Sequence, residues 1–122
     1  MKLLIYSDYI ASRQREAGIS EITELRLNSE CLHYLLNLAE LRKISPEIVG
    51  TALTILHYYL KRVPYTEIDR FLVSTVCFYL ACKIDYSHQK LSDFVIYYVG
   101  HRKHPKKTLK MPNQYVLDHL LI

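Results

Sequence analysis

The chain has only three glycines in 122 residues, at positions 18, 50 and 100, so no glycine-rich loop exists to cradle a phosphate. No nucleophile motif is present, and the acids fall at helix starts, where a favourable interaction with the helix dipole accounts for them. Catalysis has no constellation to rest on, and neither a cofactor nor a small-molecule substrate is expected. Cysteine is scarce and odd in number: Cys31, Cys77 and Cys82 stand among apolar neighbours. They read as small buried hydrophobes of a reducing compartment, nucleus or cytoplasm, rather than as a disulfide set. No apolar run reaches the roughly 20 residues that cross a bilayer, and the start has too short an apolar stretch for a secretory signal. Strand candidates, fixed-period repeats and low-complexity tracts are also missing.

What is present is helical periodicity in a chain long enough to bury a core. Residues 71 to 82, between Arg70 and Lys83, carry no charge, no Gly and no Pro. They predict a central helix over about 67–84 that water barely touches, capped by Thr66 with Glu67 and Asp69 in its first turn. Before it, Leu32, Leu35, Leu36 and Ala39 predict a first core helix from Asn28 or Ser29, ending at Arg42 and Lys43. Ser45-Pro46-Glu47 is the sharpest helix start, opening a second core helix over about 46–62. Leu91, Phe94, Val95, Tyr98 and Val99 predict a fourth helix that Gly100 ends. Pro112 opens a fifth, with Val116, Leu117, Leu120 and Leu121 running on to the last residue. Residues 1–27 form an N-terminal arm, with a short helix ending near Gly18. The expected fold is all-α, a five-helix bundle around a central buried helix.

The net charge of +4 is local: residues 101–110 hold Arg102, Lys103, Lys106, Lys107 and Lys110 and no acid. This predicts a solvated basic loop, able to meet phosphates of nucleic acid or an acidic partner segment. His101 and His104 lie three apart within it, but no nearby Cys or acid completes a metal site, and they are expected to be solvated. Tyrosine supplies 11 of the 14 aromatic residues. The pairs Tyr58-Tyr59 and Tyr97-Tyr98 cannot both face one core, so some rings must reach the surface, where Tyr suits a protein partner.

The stretch Ala52-Leu53-Thr54-Ile55-Leu56-His57-Tyr58-Tyr59, followed by Tyr79-Leu80-Ala81-Cys82-Lys83-Ile84-Asp85, resembles the N-terminal cyclin box. In that family the third helix ends in a Leu-Ala-(Ser/Ala/Cys)-Lys-hydrophobic-Glu-Glu pattern; here Tyr86 stands in place of the second acid. Lys90-Leu91-Ser92-Asp93-Phe94-Val95 is more similar to transcription-associated cyclins than to mitotic ones. The resemblance covers about residues 28–122. It implies a regulatory subunit, not an enzyme, that binds and activates a cyclin-dependent protein kinase in the cell cycle or in transcription. It also implies that the third and fifth helices dock on the kinase, with Lys83 and Asp118 as the polar contacts and Ile84 as the inserted apolar residue. A second five-helix repeat is usual in the family, so the domain is expected to be incomplete at its C-terminus. The alternative is a helical domain of the transcription factor IIB type, which shares the cyclin-box fold and meets nucleic acid through basic surfaces such as 101–110.

Overall fold

A computed structural model describes residues 13–103. Among them, after a helical stretch at 13–16 that stops just before Gly18, as expected of the arm, lie four longer α-helices and one 3-10 turn, and no strand: α1 Glu21–Leu41, α2 Pro46–Leu60, the turn Tyr65–Glu67, α3 Arg70–Ile84 and α4 Leu91–Lys103. The all-α expectation holds. The fifth helix expected from Pro112, and residues 1–12 of the arm, lie outside the described residues.

Three helix ends differ from expectation. The first core helix starts at Glu21 instead of near Asn28, because the Ser20 hydroxyl accepts the Thr23 N–H at 3.2 Å and Glu21 and Glu24 occupy the first turn. Its early apolar residues, Ile22 and Leu25, face solvent, so no apolar stripe announced those turns. The central helix is capped by Asp69, not Thr66: the Asp69 carboxylate accepts the N–H groups of Phe71 and Leu72 at 3.1 and 3.3 Å. Residues 65–67 form a separate 3-10 turn, and extended Ile68 divides it from α3. Gly100 does not end α4. Of the described glycines only Gly18 has a positive φ, whereas Gly100 is buried inside a helix that continues to Lys103.

α2 begins as expected, with Pro46 at its first position and the Ser45 hydroxyl accepting the Glu47 N–H at 3.4 Å. The ends of α1 and α3 share one device. Ile44 N–H donates to Ala39 O at 2.8 Å with Lys43 at φ 55, and Ser87 N–H donates to Cys82 O at 2.8 Å with Tyr86 at φ 57. These are Schellman turns, whose left-handed position favours glycine. A β-carbon there costs on the order of 1 kcal/mol.

The core lies where α3 meets α2, α1 and α4, with α2 and α3 sharing the most extensive contact. Phe78 of α3 and Phe94 of α4 stack at 5.5 Å between ring centroids, and Leu35, Leu38, Leu56 and Leu60 are fully buried around them. All three cysteines are buried and free. Tyr34 OH donates to Thr75 Oγ1 at 2.7 Å, which in turn donates to Phe71 O, so the hydroxyls crossing from α1 to α3 are paired inside the core. Gln14, wholly buried, donates to Leu60 O and accepts the Tyr65 N–H at 2.9 Å, tying the segment before α1 to the α2–α3 link. Ion pairs Arg42–Asp93 at 2.7 Å and Arg70–Glu30 at 2.6 Å join α1 to α4 and α3.

Candidate partner-binding face

α3 is central but not buried all round. Its inward residues are Ser74, Thr75, Cys77, Phe78, Ala81 and Cys82, all small apart from Phe78. Small side chains let neighbouring helices approach closely on that face. Four large apolar ones, Leu72, Val76, Leu80 and Ile84, recur every fourth residue on the opposite face and are 44 to 58% exposed, while Phe71, Val73 and Tyr79 between the two faces pack partly against the core. The expectation that water barely touches this helix is therefore corrected: one stripe of it is open. A charge-free run hides the stripe from a reading based on polarity, although the segregation of small from large residues was a usable signal.

The stripe ends in the residues singled out from the sequence. Lys83 is exposed in the last turn of α3, where the helix dipole favours a cation, and its Nζ lies 5.1 Å from the centre of the Tyr79 ring. Ile84 follows at 58% exposure, then Asp85 at the cap and Tyr86 at 93%. Beside them opens a cavity of about 150 Å³, lined by Tyr79, Cys82, Lys83, Tyr86, Ser87, His88 and Gln89. Burial pushes the Cys82 thiol up to about 11, so it lines the cavity as a protonated, unreactive group. Asp118, the other expected polar contact, lies outside the described residues, so Lys83 and Ile84 are brought together without it.

Of the basic residues, the two that are described lie at the other end of the bundle. Arg102 and Lys103 are exposed on the last turn of α4, not in a loop; Lys106, Lys107 and Lys110 lie outside the described residues. α4 runs back from the Lys83 end, so its 13 residues separate the two places by about 18 Å along its axis. Near Arg102, Tyr98 OH donates to the Asp69 carboxylate. Partial desolvation of Asp69 acts to raise its pKa, but hydrogen bonds from Tyr98 and the Leu72 and Phe71 amides, with the Arg102 charge, hold it below the usual value. His101, expected to be solvated, is buried: its ring meets Phe71 at 4.5 Å and Tyr34 edge-on at 4.8 Å. Continuation of α4 through Gly100 turns it inward. Desolvation, then the Arg70 charge, lowers its pKa, with Asp69 opposing.

Residues 2–121 match the family described as the cyclin N-terminal domain. This chain belongs to the cyclin family. Two T-type cyclins of Arabidopsis thaliana are similar to it. Cyclin-T1-2 is 32% identical over 85 residues, covering 70% of this chain and 18% of the relative, and Cyclin-T1-5 is 28% identical over 109 residues, covering 88% and 19%. They agree with the transcription-associated branch that the fourth-helix pattern pointed to. The chain thus spans under a fifth of the length of these relatives. No solved structure matches it. The match to the cyclin domain begins well before Asn28, in keeping with an α1 that starts at Glu21. Among the described residues no helix is long and apolar enough to cross a membrane.

Proposed function

We propose that this cyclin is a regulatory subunit that binds and activates a cyclin-dependent protein kinase of the transcription-associated kind, docking through the outer face of α3. One observation carries the reading: α3 leaves Leu72, Val76, Leu80 and Ile84 open to solvent in one stripe while, Phe78 apart, its buried positions hold small residues, and the stripe ends at an exposed Lys83. Such a face fits a partner that supplies the missing apolar surface. Lys83 supplies a directional charge at its edge, with Asp118 as the candidate second polar contact. The subunit contributes no chemistry of its own. Binding the kinase's active arrangement more tightly than its inactive one shifts the population towards activity.

Replacing Lys83 or Asp118 by Ala is expected to weaken recovery of the kinase while leaving helicity by circular dichroism intact. If the Lys83 contact is desolvated in the complex, truncation costs about 2–5 kcal/mol. Full kinase recovery by both variants would overturn the reading. The nucleic-acid alternative gains less support, because Arg102 lies in the field of the Asp69 carboxylate, which offsets part of the basic charge. It requires DNA affinity that falls steeply with salt and disappears when Lys103, Lys106 and Lys107 are neutralised.

A further inference from the structure

The turn after α3 holds a side chain that folding gives no reason to place there. Tyr86 occupies the left-handed position of a Schellman turn at φ 57, where glycine or asparagine is unstrained and a bulky aromatic is not. Its ring is 93% exposed, so it returns nothing to the core in compensation. The Lys43 turn, built the same way, shows that the motif needs no aromatic at this position. The backbone around Tyr86 is nonetheless held, by Tyr86 N–H donating to Lys83 O at 3.3 Å and Ser87 N–H donating to Cys82 O at 2.8 Å. A ring on a held backbone loses little freedom on binding, and Tyr combines apolar area with a hydroxyl tip. The ring lies two residues beyond Ile84, the last exposed apolar residue of the α3 stripe, and it forms one wall of the cavity beside Lys83.

We infer that Tyr86 is a specificity-determining anchor of the kinase interface: it extends the α3 stripe past the helix end and seats its ring on an apolar recess of the kinase, with a hydrogen-bond acceptor there for the phenol. The inference rests on the docking reading given above. Strain in the free chain is kept because the position serves the complex.

The test titrates the full 122-residue chain and its Tyr86→Phe, Tyr86→Asn and Tyr86→Gly variants against a panel of purified cyclin-dependent kinase catalytic subunits, with melting temperatures measured alongside. Leu80→Asp, at an exposed position, probes the α3 face itself. Asn and Gly variants should bind the preferred kinase at least about tenfold more weakly while melting no lower than the parent chain, and Phe should restore most of the affinity. Affinity lost together with melting temperature overturns the assignment, since Tyr86 would then be structural. Unchanged affinity in the Asn and Gly variants with Leu80→Asp inactive overturns the assignment and leaves the docking reading standing. Unchanged affinity in Leu80→Asp, or no kinase bound by the parent chain, overturns both.

Discussion

Gln14 is a fully buried primary amide, and it satisfies one backbone donor and one acceptor of the α2–α3 link. Truncating it to Ala leaves Tyr65 N–H and Leu60 O unpaired in the interior, at about 1–3 kcal/mol for each orphaned group. The loss is expected in urea unfolding, and Gln14→Glu should restore little of it, because a carboxylate cannot donate to Leu60 O. His101 makes a second residue-scale prediction. Its folded pKa lies below the ordinary histidine value, so the unfolded chain binds the proton more readily and acid favours unfolding. The stability contributed by the neutral ring is complete above about pH 6.5 and is lost as pH falls towards the folded pKa. Around it stand Tyr34 and Glu30 of α1, Asp69 and Arg70 at the start of α3, and Tyr98 and Arg102 on its own helix. Between pH 7 and 5 denaturant midpoints should drop for the parent chain and change less for His101→Phe, whose ring fits the Phe71 and Tyr34 contacts without titrating. Asp69 titrates lower: its depressed pKa gives stability that is present above about pH 4 and is lost below it.

Two sides of one uncharged helix behave in opposite ways, and α3 makes the contrast measurable. Phe78 is fully buried against Phe94, so Phe78→Ala leaves a void and should cost about 3–5 kcal/mol. Val76, two residues earlier, is 51% exposed. Val76→Lys puts a charge into the middle of the uncharged run, yet it should change stability by no more than about 0.5 kcal/mol. A large destabilisation by Val76→Lys in thermal melts would mean that this face is packed in the isolated chain. The element ends teach a related lesson. Helix starts are fixed locally: Ser20 accepts the Thr23 N–H and Asp69 accepts those of Phe71 and Leu72, which sets one start before Asn28 and the other after Thr66. Similarly, a glycine stops a helix only when the chain turns left-handed at it, and Gly100 does not.

At the scale of the molecule, the two ends of α3 differ in chemistry. Arg70–Glu30 and the Asp69–Tyr98 contact secure its start, whereas its C-terminal end carries Lys83, Ile84 and Tyr86 into solvent. A partner docked at the open end, as proposed, need not disturb the charged cluster at the other, and losing Lys83 should leave the bundle intact. Much of this was legible in the chain alone. Apolar spacing at three to four residues, Ser45-Pro46-Glu47 and the Leu80-Ala81-Cys82-Lys83 pattern settle helix type, order and family, since these depend on local preference and on residues close in sequence. Which side of α3 faces water was not legible from hydrophobicity, which is the same on both sides; the split of small from large residues hints at it, and the positions of α1, α2 and α4 decide it. The inward turn of His101 and the burial of Gln14 likewise depend on partners 30 or more positions away. Local sequence determined the helices and the residues at their ends; the packing of one helix against three others decided which of those residues remain available to a partner.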